Sequence, residues 1–132
     1  MYIQTKKENN KKTTNRGEIK MLQPFDVQIA TELGVSEAVF INNLQFFVTT
    51  NKDNNVDFHE GRWWSYNSIP ALMKIFPYWT GRQLEHIIKK LVDSNVILTG
   101  NFNTDPRDRT RWFAFVDEYK YLKNNKKIQG EN

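Results

Sequence analysis

Apolar residues recur at helical spacing in several parts of the chain and predict where its helices lie. Residues 21–33 carry such a pattern up to Gly34, a typical helix stop, and predict a short leading helix. Ser36 stands at an N-cap position, and the apolar stripe after it predicts a longer helix over residues 37–50. Residues 69–76 form a shorter pattern, whose broad apolar set predicts burial between other elements.

The best-supported helix covers residues 81–94. Thr80 and Gln83 have the T-x-x-Q spacing of a capping box, which predicts a helix that begins at Gly81. One side of this helix is an apolar stripe of Leu84, Ile87, Ile88 and Leu91. The opposite side carries Arg82, His86, Lys89 and Asp93. We therefore expect one buried face and one polar face.

Strand patterns stand on both sides of that helix. Residues 62–66 are rich in aromatic side chains and predict a short strand. The polar residues 51–61 before it predict a loop, with a brief hairpin as an alternative. Residues 96–102 and 111–116 predict a hairpin with a turn-rich tip. This order predicts an α+β fold of the winged helix-turn-helix class, in which a core of three helices carries a small antiparallel sheet with a wing.

The chain is long enough for one domain, which we place at residues 21–118. Residues 1–20 have hardly any apolar residue and are expected to form a flexible basic arm, which either adds phosphate affinity or only aids solubility. Residues 119–132 are expected to form a partly flexible extension with a short docked helix.

The charge changes sign along the chain. Six Lys and Arg against two Glu give residues 1–20 a net charge of +4. One Lys against six acids gives residues 21–61 a net charge of −5, and eight cations against four acids give residues 62–111 a net charge of +4. This distribution favours one face for a polyanion and another for a protein partner, although solvated charge without a partner explains it equally well.

Several classes of protein are disfavoured by composition. The chain has no cysteine and only two histidines, so neither a disulfide framework nor a metal cage is expected. No phosphate-binding glycine loop and no Ser-His-acid grouping is evident, and we expect no enzyme and no cofactor. The longest apolar runs are too short to cross a bilayer and no signal sequence is evident, so a cytoplasmic protein that does not contact membranes is expected.

The helix over residues 81–94 has the properties of a recognition helix, because its polar face can enter the major groove while its apolar face stays in the core. Side chains of its first two turns are expected to reach base edges, and the later lysines to reach phosphate. The free backbone donors near Thr80 offer a further phosphate site. The expected contacts from this helix are Thr80, Arg82, Gln83, His86, Lys89 and Lys90. An ordinary amphipathic surface helix has the same periodicity, so the pattern of polar residues does not decide between the two.

The predicted wing, residues 103–111, adds Arg107, Arg109 and Arg111 as expected DNA contacts. Asp105 and Asp108 stand among these arginines. A loop closed by its own salt bridges is therefore the alternative interpretation. Stacking on unpaired bases is a further alternative for the aromatic residues Trp63, Trp64, Trp79, Trp112 and Phe113.

The blocks that carry a resemblance to a known family are WSYNS (64–68), FPYWT (76–80), IIKKL (87–91), TGNFN (99–103) and DRTRWF (108–113). They resemble the winged-helix domain of bacteriophage and plasmid replication proteins, which include replisome-organiser, or DnaD-like, initiators. The resemblance covers about residues 22–118 and implies a prophage or mobile-element origin and duplex binding near a replication origin. Several relatives have Ser or Thr with Arg where this chain has Gln83, Glu85 and His86, so their base preference does not transfer.

The leading hypothesis is a non-catalytic protein that binds double-stranded DNA in replication initiation or its control. A small transcriptional regulator is the alternative within DNA binding. A third hypothesis is a protein-interaction module that binds a replication or host protein, or a second copy of itself as a homodimer.

Overall fold

The computed structural model describes residues 21–122, and these form an α+β fold of five helices and two small antiparallel sheets. The predicted arm (1–20) and the end of the predicted extension (123–132) lie outside the described residues. In chain order the elements are α1 (Val27–Leu33), α2 (Val35–Asp53), β1 (Phe58–His59), β2 (Arg62–Trp63), β3 (Ser65–Asn67), α3 (Ile69–Ile75), α4 (Gly81–Asp93), β4 (Ile97–Gly100), β5 (Arg111–Phe115) and α5 (Glu118–Leu122).

The leading helix is shorter than the sequence pattern predicts. A side-chain oxygen of Asp26 accepts hydrogen bonds from the backbone amides of Gln28 (2.8 Å) and Ile29 (3.1 Å), so α1 begins at residue 27 and not at residue 21. Gly34 ends α1 as predicted, at φ 115°. The apolar spacing continues upstream of Asp26, but Leu22 there is 81% exposed.

The next helix begins earlier and ends later than predicted. The N-cap residue of this helix is Gly34, which has no side chain to accept a capping hydrogen bond. The prediction that Ser36 caps the helix is therefore wrong. Ser36 lies inside the first turn, and α2 continues to Asp53, three residues beyond the predicted end. Because α1 and α2 are separated by one glycine, the chain turns sharply there, in a conformation that favours glycine.

The aromatic strand over residues 62–66 is divided in two by Trp64. Its first part, β2, pairs with β1 in a small antiparallel hairpin. Its second part, β3, pairs with β5, which also pairs with β4, so the larger sheet has the order β3-β5-β4. The predicted hairpin of β4 and β5 is confirmed, but β4 ends at Gly100 and β5 at Phe115, short of the predicted ends.

The central strand β5 is buried on both faces. Phe113 and Phe115 belong to the main core between the sheet and the helices, where they meet α2 and α4 residues such as Phe40 and Leu84. Trp112 and Ala114 belong to a second cluster on the other face of the sheet, with Trp64. Successive residues of β5 therefore alternate between two apolar environments.

The remaining helices differ in how much they bury. Of the predicted apolar set, Leu72 and Phe76 are buried, Ile69 and Ile75 pack half-buried against the main core, and Met73 is 39% exposed, so the predicted burial is confirmed in part. In α5, Tyr121 and Leu122 are buried, which confirms the short docked helix. Within residues 21–122, no helix is long and apolar enough to cross a membrane.

Candidate nucleic-acid interface

The start of α4 is held by the predicted capping box. The backbone amide of Gln83 donates to Oγ1 of Thr80 (3.1 Å), and Oε1 of Gln83 accepts from the backbone amide of Thr80 (2.8 Å). At the other end, Asn95 adopts a left-handed conformation with φ 60°, as expected for the residue that closes the helix. Two predicted DNA contacts, Thr80 and Gln83, are therefore also the residues that cap this helix.

The two faces of α4 differ sharply in burial. Each residue of the predicted stripe is buried, namely Leu84, Ile87, Ile88 and Leu91. Arg82, His86 and Lys89 lie on the opposite, exposed face, which we call the outer face of α4. Because the buried stripe anchors the helix, the backbone that presents these three side chains is held in a defined position.

Lys89 has a partner within its own helix. Its Nζ lies 2.8 Å from Oδ2 of Asp93, one turn further along. The hydrogen bond and the negative charge of Asp93 raise the pKa of Lys89 above its ordinary value. Both side chains are largely exposed, so the pair is weak and can open in water.

Lys90 lies at the edge of the outer face of α4, beside His86. Its Nζ donates to the backbone carbonyl oxygen of Leu33 (2.7 Å) and lies 3.6 Å from Oε2 of Glu37. Glu37 is buried at the start of α2, with 6% of its surface exposed. The structure therefore places Lys90, a predicted phosphate contact, at the junction of α1 and α2.

Arg111 connects the base of the β4–β5 loop to α4. Its Nη1 donates to both carboxylate oxygens of Glu85, each at 2.9 Å. The contact brings together residues 26 positions apart in the chain, and it places the loop beside α4. Arg111, a predicted wing contact, is therefore paired with a carboxylate.

The β4–β5 loop is braced by its own acids. Asp105 accepts hydrogen bonds from the backbone amide and the guanidinium of Arg107 (2.9–3.2 Å), and these bonds hold the pKa of Asp105 below its ordinary value. Oδ1 of Asp108 accepts from the backbone amide of Thr110 (2.9 Å). These bonds agree with the alternative of a salt-bridged loop for Arg107, whose own side chain is still 90% exposed.

Arg82 and Arg109 are the two exposed arginines of the predicted site with no protein acceptor among the described residues. His86 is also exposed on the outer face of α4. The other cations of the predicted site, Lys89, Lys90, Arg107 and Arg111, each meet a carboxylate or a carbonyl oxygen. Of the predicted site, Arg82 and His86 are thus brought together on α4, with Arg109 on the neighbouring loop.

His86 borders two shallow clefts along α4. The first, of about 370 Å³, lies towards the start of α2 and is lined in part by Arg82, Trp79 and Ser36. The second, of about 380 Å³, runs along the end of α4 past Lys89. The sequence did not indicate that Ser36 borders the site, because it is 50 residues from His86 in the chain.

The aromatic residues mostly serve the core. Trp64, Trp112 and Phe113 are buried. The indole nitrogen of Trp64 donates to the carbonyl oxygen of His59 (2.9 Å), and that of Trp112 donates to Oδ1 of Asn103 (2.8 Å). Trp63 and Trp79 are half-buried against the main core. Because the rings of Trp64, Trp112 and Phe113 are buried, they cannot stack on unpaired bases, and this disfavours single-strand binding at those positions.

Within the part of the chain that the structure describes, no three His, Asp or Glu side chains are grouped as metal ligands. The chain was also compared with protein-family models, curated proteins and solved structures, and none of the three comparisons finds a match.

Proposed function

We propose that this protein is a non-catalytic, winged helix-turn-helix protein that binds double-stranded DNA. In this proposal α4 is the recognition helix, and its outer face enters the major groove with Arg82, Gln83 and His86 near base edges. The β4–β5 loop is the wing, and Arg107 and Arg109 contact the backbone or the minor groove. The proposed role is replication initiation or its control, as the family resemblance implies.

The order and pairing of the elements support the winged-helix assignment. The helices α2, α3 and α4 surround one core, and the sheet β3-β5-β4 closes it. A five-residue turn over residues 76–80 connects α3 to α4, which is close to the turn of about three or four residues in a helix-turn-helix. The loop between β4 and β5 then occupies the position of a wing.

The observation that carries the proposal is the contact of Glu85 with Arg111. It places the base of the arginine-bearing loop beside the open face of α4, so that helix and loop can meet one duplex together. The amphipathic pattern of α4 by itself does not predict that an arginine-bearing loop lies beside the helix. Arg82 and Arg109 are exposed on the two parts and supply positive charge.

Protein binding is a second candidate, favoured by the exposed apolar residues around α1. Val27 is 74% exposed and Val35 is 57% exposed.

The acidic residues of the segment 21–61 are divided between the two ends of α2, with Glu32 near its start and Asp57 near its end. Since α2 has 19 residues, its ends are about 28 Å apart at 1.5 Å per residue, which favours no single acidic docking patch.

The test is a titration of the protein with a labelled random-sequence duplex at about 50 mM and about 200 mM salt. Two or three phosphate contacts predict that the affinity falls roughly 10- to 40-fold over this range, from a slope of about 0.9 per contact. A protein-binding module without DNA affinity shows no binding at either salt concentration, and that result would refute the proposal. Mapping of bound sites in a genome then separates an iterated origin from a promoter operator.

A further inference from the structure

We propose that Glu85 sets the specificity of this interface by keeping Arg111 from binding phosphate. The inference rests on the proposed DNA-binding function and concerns the sequence-independent part of the affinity. Glu85 is then a residue that weakens binding to every duplex, so that the base contacts of α4 decide which duplex is retained.

The contact between the two side chains is close and connects different elements. One nitrogen of the Arg111 guanidinium, Nη1, donates to both oxygens of the Glu85 carboxylate at 2.9 Å. Arg111 begins β5, where its backbone is held in the ladder opposite Asn67. Glu85 is held by the helix that buries Leu84. Since folding already fixes both backbones, the contact costs only the side-chain entropy of the two residues.

The position of the pair connects it to the proposed interface. Glu85 lies in the first two turns of α4, between Arg82 and His86 in the chain. Its side chain is 53% exposed and that of Arg111 is 31% exposed, so the pair is reached by solvent at the flank of the outer face. A duplex seated on both α4 and the β4–β5 loop would pass over this pair.

The pairing changes what Arg111 contributes to DNA binding. A guanidinium that already faces a carboxylate has no net charge with its partner and displaces little of the counterion atmosphere of DNA. To bind a phosphate, Arg111 must give up its contact with Glu85, and the freed carboxylate then repels the phosphate. The pair therefore lowers nonspecific affinity.

Lower nonspecific affinity raises discrimination, because specificity is a ratio of two affinities and a genome offers a large excess of nonspecific sites. The pair of Lys89 and Asp93 differs in this respect. It lies within one helix and both side chains are largely exposed, so Asp93 offsets the charge of Lys89 only in part. We therefore assign the main restraint to Glu85.

The experiment compares the full chain with Glu85→Gln, Arg111→Gln and the double variant, using the random-sequence duplex. Glu32→Gln is the matched control, because it removes the same charge from an exposed position on α1. Thermal unfolding of each variant verifies that it is folded at the titration temperature.

Glu85→Gln is expected to bind the random duplex more tightly at about 50 mM salt and to lose roughly threefold more affinity than the wild type on transfer to about 200 mM, since one phosphate contact is added. Arg111→Gln is expected to bind more weakly than the wild type, because it leaves the carboxylate of Glu85 unpaired beside the duplex. In the double variant the gain should disappear, because no arginine remains to be freed.

The possible results distinguish a failure of the proposed role of Glu85 from a failure of the proposed DNA binding. Binding of the wild type with a gain in Glu85→Gln no larger than in Glu32→Gln would overturn the inference and leave DNA binding intact. A double variant that binds more weakly than the wild type would also overturn it, even if Glu85→Gln does not fold, because Arg111 would then contribute to binding while it is paired. Absence of duplex binding by the wild type refutes the proposed function itself.

Discussion

Nζ of Lys90 donates a 2.7 Å hydrogen bond to the backbone carbonyl oxygen of Leu33, the last residue of α1. The four C-terminal carbonyl groups of a helix have no partner within it, and a cation is favoured at that end. A side chain of α4 thus satisfies the end of α1, 57 residues earlier in the chain. Glu37 of α2 lies beside the same ammonium group, so Lys90 connects three helices.

Replacement of Lys90 is therefore expected to affect stability more than DNA binding. Lys90→Gln should lower the free energy of unfolding by about 1 kcal/mol, because the carbonyl of Leu33 and the buried Glu37 lose their cation. Its affinity for duplex DNA should stay within about twofold of the wild type. Urea unfolding and the duplex titration measure the two effects. A large loss of affinity with unchanged stability would show that Lys90 contacts phosphate.

Arg82 and Lys89 share the outer face of α4 but are expected to differ in their effect. Arg82→Gln should weaken duplex binding roughly threefold to tenfold at about 50 mM salt, because an unpaired cation is lost. Lys89→Gln should have a smaller effect, since Asp93 already offsets the charge of Lys89. Lys52→Gln, at the end of α2, is the control with the same charge change. Equal losses in all three variants would indicate that only net charge matters.

The turn between α1 and α2 requires glycine. At Gly34, φ is 115° and ψ is 154°, a region that other residues rarely adopt, and an added Cβ would overlap Oε1 of Glu37. Gly34→Ala should destabilise the fold by about 2 kcal/mol or more. Gly61→Ala is the matched control, because Gly61 also has a positive φ but its Cβ would meet no atom within 4 Å. Thermal unfolding compares the two, and an equal effect would exclude the overlap as a cause.

The buried stripe of α4 predicts a different kind of loss. Ile88 is 2% exposed, and Ile88→Ala should lower the free energy of unfolding by about 2 to 5 kcal/mol, because it leaves a cavity in the main core. Val27→Ala, at an exposed position of α1, should change it by less than about 0.5 kcal/mol. Denaturant unfolding measures both. A small loss at Ile88 would mean that the core relaxes around the deletion.

The parts of the fold predicted correctly depend on residues that are close together in the chain. The capping box of Thr80 and Gln83 spans one helical turn, and the stripe that includes Leu84 has helical spacing, so α4 was predicted to within one residue. Apolar spacing does not predict the start of α1, although Asp26 is a good N-cap residue. Apolar spacing continues past that residue, and spacing alone does not indicate where the backbone leaves the helix.

The pairing of charges could not be predicted, because it depends on which elements pack together. Asp105 and Asp108 indicated a braced loop from their position among the arginines. No local pattern indicated that Glu85 would face Arg111 or that Lys90 would face Leu33, since these pairs join separate elements.

By itself, the sequence determined the helices around residues 40 and 88, the hairpin after them and the polar side of α4, because propensity, capping and periodicity act over a few residues. Only the tertiary structure decided which cations remain open to a partner. Lys90 and Arg111 are placed against acceptors from distant parts of the chain, whereas Arg82 and Arg109 are left in solvent. A charge interacts over a few ångströms of space, and packing of the helices and strands sets those distances.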